Sequence, residues 1–244
     1  MGVVRLLLRA IPLGILLIIG LFLAFGVRPF LNPQQLLSVA GWFHRRLLNV
    51  LNVRVTVPTL PTLGHGLMVS NHISWLDIVV LGGSFHTFFV SKDEVRKWPL
   101  VGSLAKAAGT LFISRGNHQA QKIRQAMADR IGEQTFILFF PEGTTFEGIE
   151  VNRFHPRLFG AAIEAEEPVL PVALRYEHSP QPHPVVPYVG DDVFFTNLLK
   201  LLMAPKVEVT VHVGKPIPVA NVQRKELATQ AQQQVADLLG VKAL

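Results

Sequence analysis

The sequence predicts an α/β fold: a largely parallel central sheet flanked by helices, preceded by an N-terminal membrane-anchoring helical segment. Three observations carry this. From residue 53 onward, short β-branched or aromatic runs alternate with helical stretches, the pattern of βα units. Near the N-terminus, residues 11–27 carry no charge, with Arg5 and Arg9 before them and Arg28-Pro29 after. Of 244 residues, 49% are hydrophobic and 16% charged, so the chain can bury a sizeable core and keep apolar surface for lipid. The division follows: residues 1–52 as membrane-associated helices, 53–244 as the α/β domain.

The apolar run 11–27, extended by Leu6, Leu7 and Leu8, approaches the roughly 20 residues that cross a bilayer core. A cleaved signal peptide shares the basic start but needs a small-residue cleavage site, and none is evident. Residues 36–53 repeat apolar side chains at helical spacing around a basic group, His44-Arg45-Arg46, and include Trp42. That suits a helix in the membrane interface, or a helix packed on the domain. Pro29 and Pro33 separate the two segments, which leaves a single span and a re-entrant hairpin both open. Strands are expected at residues 53–57, 66–70, 87–91, 110–114, 136–140, 168–174 and 207–213. Helices are expected at 75–81, 100–108, 119–131, 156–165, 193–202 and 222–239. The proline-rich residues 178–187 read as a surface loop or an excursion at a sheet edge. The net charge of +6 suits anionic partners such as a membrane surface, but the basic residues are dispersed and no nucleic-acid motif occurs. Absence of cysteine excludes disulfides and thiol nucleophiles.

In open α/β sheets, ligands sit beyond the carboxyl ends of the strands. Four such ends carry unusual residues. After the run 66–70 come Asn71, His72, Ser74 and Asp77. Histidine titrates near working pH, and a nearby carboxylate can orient its ring. On one continuous helix a five-residue separation would leave His72 and Asp77 roughly 140° apart. They converge only if His72 precedes the helix and Asp77 lies in its first turn, with Ser74 as N-cap. The same arrangement is a capping box, Ser74-x-x-Asp77, so spacing alone leaves capping and catalysis equally good accounts. After the run 110–114 come Arg115 and Gly116; a guanidinium there suits a phosphate, or is a solvated surface group. After 136–140 come Pro141, Glu142, Gly143 and Thr144, where Gly143 permits close backbone approach and Glu142 could equally be a helix-start charge. The run 168–174 carries Pro171 and ends at Arg175. No set of ligands with metal-binding spacing surrounds His72 and Asp77 in the sequence.

These blocks, in this order, resemble the glycerolipid acyltransferase family typified by 1-acylglycerol-3-phosphate O-acyltransferases. The family's His-x4-Asp block matches Asn71 through Asp77, and its arginine block Phe112 through Gly116. Its Phe-Pro-Glu-Gly-Thr block matches Phe140 through Thr144, and its proline-centred strand Leu170-Pro171-Val172; the likeness covers residues 53–217. The resemblance implies transfer of a fatty acyl group from acyl-CoA or acyl-carrier protein, as co-substrate without further cofactor, to a lysophospholipid hydroxyl. His72 would be the general base and Asp77 its orienting partner. Asn71, Ser74, Arg115, Gly116, Glu142, Gly143 and Thr144 would bind substrate. The catalytic domain would rest on the cytoplasmic face of a membrane, here a bacterial inner membrane. The first acceptor expected is lysophosphatidic acid, giving phosphatidic acid. One departure bears on it: many phosphate-accepting members continue Glu-Gly-Thr with arginine, where this chain has Thr145. Either Arg153, His155 or Arg157 replaces that cation, or the acceptor is another lysolipid. Relatives resembling lyso-ornithine lipid acyltransferases carry a similar Glu-Gly-Thr-Thr stretch. A non-catalytic membrane lipid-binding protein is the alternative from a different class.

Overall fold

The structure is a computed structural model and describes residues 1–59, 63–114 and 117–244. Its strands are β1 (Val53–Thr56), β2 (Gly66–Ser70), β3 (Thr87–Lys92), β4 (Leu111–Ile113), β5 (Phe136–Phe139), β6 (Val169–Tyr176) and β7 (Val207–Val213). They form one sheet in the order β1-β7-β6-β2-β5-β3-β4. Every pairing is parallel except β6–β7, so the largely parallel sheet is observed, with its strands where the apolar runs place them. β2 and β5 sit near the centre and are buried at every residue. Their unbroken apolar sequences, GLMVS and FILF, are what a strand covered on both faces requires.

Alternation along β2 divides the core. Leu67 and Val69 face a layer containing α6 (Asn117–Gly132), α7 (Gly160–Glu164) and α9 (Arg224–Leu239). Met68 faces the opposite layer, with α3 (Leu76–Ser84) and α8 (Phe194–Met203). Residues 156–165, expected as one helix, divide into a 3-10 turn at Pro156–Phe159 and the short α7. Two further short helices are α4 (Asp93–Arg96), which was not among the expected elements, and α5 (Val101–Ala107).

α1 (Gly2–Phe22) continues through a π-helical turn, Leu23–Val27, and a 3-10 turn, Arg28–Phe30. The helical stretch Gly2–Phe30 is long and apolar enough to cross a membrane. It starts before the uncharged run, so Arg5 and Arg9 lie within it. The reason is tertiary: the Arg9 guanidinium donates to the carbonyls of Leu202 (3.0 Å), Ala204 (2.8 Å) and Pro205 (2.8 Å), at the C-terminal end of α8. The opposite face exposes Leu7, Leu8, Ile11, Ile15, Ile18, Phe22 and Phe25. α2 (Pro33–Leu51) opens with a capping box, Gln35 N–H donating to Asn32 at 2.9 Å and Asn32 N–H to Gln35 at 3.0 Å. It buries Leu36, Leu37, Leu48 and Leu51 against the domain, and Arg45 donates to the carbonyl of Gly83 at the end of α3 (3.2 Å).

β2, β5, β3 and β6 run in one direction and end on one edge of the sheet. β2 and β5 are in register with Val69 opposite Phe139. Carried three residues further, that register sets His72 opposite Glu142.

Candidate active site

The turn after β2 has every backbone group from His72 to Ser74 engaged. His72 N–H donates to Glu142 Oε2 (2.7 Å), and its carbonyl accepts from Phe146 N–H (2.8 Å). Ile73 N–H and Ser74 N–H both donate to Asp77 Oδ2, at 2.7 and 2.9 Å. The carbonyl of Ile73 accepts from Tyr188 N–H (3.0 Å), and that of Ser74 from Asp77 N–H (3.1 Å). A buried turn needs this full complement, because each unpaired amide or carbonyl would be destabilising. The expected Ser74 N-cap is not observed: α3 begins at Leu76, later than expected, with Trp75 as its N-cap, and the Ser74 hydroxyl accepts only a long 3.4 Å bond from Leu76 N–H. Asp77 still accepts Ser74 N–H, the acidic half of the capping box, and bonds the histidine as well. The two accounts that spacing left open are therefore one geometry.

His72 Nδ1 lies 2.8 Å from Asp77 Oδ2. With that nitrogen donating to the carboxylate, the Nε2 lone pair is the free one. Among the described residues, Nε2 has no hydrogen-bond partner. The ring stacks on Phe140, centroids 3.8 Å apart and planes within 10°, which fixes its tilt. The His72 side chain is 16% exposed and that of Asp77 fully buried. A buried carboxylate requires partners. Besides the three on Oδ2, Oδ1 accepts the hydroxyl of Tyr176 at 2.7 Å. Tyr176 was not among the expected site residues, because the run 168–174 was read as ending at Arg175. β6 continues one residue beyond Arg175 and delivers the phenol to the site. Burial, then the charge of Asp77 and the hydrogen bond to it, hold the phenol's pKa well above its ordinary value.

The residues expected to bind substrate separate into two groups. Asn71, Ser74 and Glu142 are buried and act on the protein itself. The Asn71 amide accepts from Leu174 N–H (2.8 Å) and donates to its carbonyl (3.1 Å), extending the β2–β6 ladder by one side chain. Glu142 receives His72 N–H on one oxygen and Asn152 N–H (2.9 Å) on the other. Its carboxyl is pushed from 4.5 up to about 7: burial raises it, the two amide donors lower it, and the charge of Asp77 raises it. Glu142 is thus a brace between two turns. Gly143 and Thr144, by contrast, are exposed beside His72. Gly143 has φ +75, and a Cβ there would meet the His155 ring at 3.3 Å, so glycine serves both the left-handed backbone and the close approach. Arg115 and Gly116 lie outside the described residues.

Of the proposed replacement cations, His155 sits over Gly143, its N–H anchored on the carbonyl of Pro141 (2.8 Å), while Arg153 and Arg157 are exposed. Thr145 faces elsewhere: its hydroxyl donates to the carbonyl of Tyr188 and ties down the proline-rich loop. Next to the turn, a cavity of about 360 Å³ is lined by Ile73, Glu147, Arg175, Tyr176, Glu177 and His183, among others. It places a guanidinium and two carboxylates around one space.

Residues 52–175 match the family model described as Acyltransferase. The chain belongs to the acyltransferase family. It is 39% identical, over 96% of its length and 93% of the relative's, to the lyso-ornithine lipid O-acyltransferase of Pseudomonas aeruginosa. With the 1-acyl-sn-glycerol-3-phosphate acyltransferase of Neisseria gonorrhoeae it shares 32% identity, over 59% of this chain and 57% of the relative. The crystal structure of the 1-acyl-sn-glycerophosphate acyltransferase PlsC from Thermotoga maritima superposes with a TM-score of 0.71, at 17% identity, over 97% of this chain and 94% of that one. The fold is thus shared with that enzyme. Family and named relatives together make the chain an O-acyltransferase, and those relatives are named for lysolipid acceptors.

Proposed function

We propose that the chain transfers a fatty acyl group from acyl-CoA or acyl-carrier protein to the hydroxyl of lyso-ornithine lipid, with His72 as general base. The observation that carries the chemistry is the His72–Asp77 pair, 2.8 Å apart, with no partner on Nε2 among the described residues. His72 Nε2 takes the proton of the acceptor hydroxyl as that oxygen attacks the thioester carbonyl. The tetrahedral intermediate collapses, the C–S bond breaks, and the thiolate takes the proton back from the imidazolium. Acceptor and thiol are each left neutral, and no acyl-enzyme forms. Asp77 holds the ring and stabilises its charged form. Gly143 and Thr144 face the polar head of the acceptor. Arg115 and Gly116 remain expected contacts for the polar head. The exposed face of α1 anchors the domain in the membrane, on the cytoplasmic side, where thioester donors are made.

Two features support this acceptor. Thr145 offers no guanidinium where a phosphate dianion would need one, and its hydroxyl is already committed to Tyr188. The cavity beside the turn carries Arg175 with Glu147 and Glu177, complementary to a headgroup bearing both a carboxylate and an amine, as ornithine does. The relatives named for lyso-ornithine lipid align along nearly the whole chain. A second reading, lysophosphatidic acid as acceptor, is favoured by the His155 imidazole over Gly143 and by the relatives named for that reaction. The deciding experiment supplies purified protein with each thioester donor and a panel of lysolipids and follows thiol release. Faster turnover of lyso-ornithine lipid supports the first reading, faster turnover of lysophosphatidic acid the second, and no release with any acceptor removes both.

A further inference from the structure

Asp77 accepts four hydrogen bonds, and three come from its own turn: Ile73 N–H, Ser74 N–H and His72 Nδ1–H, all on Oδ2. The fourth is different in kind. It arrives on the other oxygen from a side chain 99 residues away, the Tyr176 hydroxyl at 2.7 Å. Tyr176 is 2% exposed, on the face of β6 turned toward α3, between neighbours that belong to the same core layer. Its phenol stays protonated throughout the working range, so it always donates.

We propose that Tyr176 is a positioning residue for acyl transfer: its hydroxyl locks the rotation of the Asp77 carboxylate and moderates the negative charge presented to His72. The inference rests on the reading of His72 as general base. The physical basis is a division of labour between the two carboxylate oxygens. The carboxylate turns about one bond, Cβ–Cγ, which carries both oxygens together. A strong donor on Oδ1 stiffens that torsion from the side opposite the three donors on Oδ2. It also withdraws charge, since a hydrogen bond to an anion lowers its affinity for further protons. A bare buried carboxylate would bind the imidazolium too tightly and hold His72 protonated at the pH where a base is needed.

Other groups facing the pair do not supply this function. Glu142 meets the turn from the end of β5, but its oxygens are held by His72 N–H and Asn152 N–H. On α2, which packs against α3, Arg45 lies at the far end on Gly83, and burial among apolar neighbours brings His44 down to about 4, keeping it neutral. Lys200 on α8 is exposed. Tyr176 is thus the one neutral donor that reaches Asp77 from outside its turn, among the described residues.

The test is the pH dependence of kcat/KM for Tyr176→Phe in the full-length, membrane-reconstituted protein. Removing one hydroxyl leaves the ring's packing in place. With the donor gone, Asp77 presents more charge, the imidazole keeps its proton to higher pH, and the acid limb of the profile moves up by about one unit. The change falls on the acid limb more than on KM, because the phenol is 2% exposed and bonded to Asp77. Trifluorotyrosine at position 176, a stronger donor, moves the limb the opposite way. An acid limb within about 0.2 unit of wild type in both proteins overturns the proposal, even if the rate falls, because loss of packing alone would not move it. His72→Ala is the accompanying control. If it retains activity, the general-base reading fails. If it is inactive while Tyr176→Phe leaves the limb unmoved, only the role of Tyr176 fails.

Discussion

The turn after β2 and the turn after β5 lie side by side at the carboxyl edge of the sheet, yet they are built on opposite plans. The first is over-determined. Asp77 is buried, His72 and Ser74 have both backbone groups bonded, and the histidine ring is stacked on Phe140. The second is half scaffold and half open surface: Glu142 is buried and bonded on both oxygens, while the next two residues, Gly143 and Thr144, face solvent. The contrast separates reaction from recognition. Proton transfer needs a base held within a few tenths of an ångström, which only a saturated hydrogen-bond network supplies. Choice of acceptor, on the proposed function, needs a rim that can change without disturbing that network, as the exposed half of the second turn can.

His72→Ala attacks the over-determined side directly and should show the largest effect. We expect kcat to fall by about 10³-fold or more, with the thermal midpoint close to wild type, since among the described residues the His72 side chain hydrogen-bonds only Asp77. Steady-state assay alongside thermal denaturation checks this, and retained turnover would return the carboxylate to a purely capping role.

Glu142→Gln tests the brace that joins the two turns. A carboxamide has one accepting oxygen, so one of the two N–H donors loses its partner and kcat should fall by about 10-fold to 100-fold. Stability carries a second signature. The Glu142 carboxyl is raised from 4.5 to about 7, so its favourable contribution is complete below the unfolded value and disappears as pH rises through about 7. Wild type should therefore lose about 1–3 kcal/mol relative to Glu142→Gln between pH 4.5 and pH 8. Urea denaturation at the two pH values measures it; a constant difference would show that burial does not govern the carboxyl.

Arg175→Gln probes recognition and should show the smallest effect. We expect the KM for lyso-ornithine lipid to rise about tenfold with kcat within about twofold, and the KM for lysophosphatidic acid to stay unchanged. An equal rise for both lipids would make Arg175 a general electrostatic contact and weaken the contrast between the turns.

Much of this was legible in the sequence. The apolar runs located every described strand, because β-branched and aromatic stretches of four to eight residues bounded by polar turns have few other uses. The His72–Asp77 spacing forced a histidine before the helix and an acid in its first turn, which is the observed arrangement. The roles of Asn71 and Glu142 were not legible. Both are polar residues at strand ends, and the same residue type serves equally to touch a ligand or to brace a neighbour. Arg9 read as a charge flanking an apolar segment, and nothing local indicated that it ends α8. Tyr176 gave no signal at all, since a tyrosine closing an apolar strand is ordinary core.

The sequence by itself determined the local units: strands, helices, and one turn holding a histidine and a carboxylate. Their order along the chain carries that information because periodicity and capping act over a few residues. Only the tertiary structure decided which partners complete the turn. Glu142 reaches His72 across 70 residues, Tyr176 reaches Asp77 across 99, and Asn71 reaches Leu174 across 103. Those meetings follow from β2 lying between β6 and β5 in the sheet. Strand order is set by long-range packing of the whole core, so no local pattern records it.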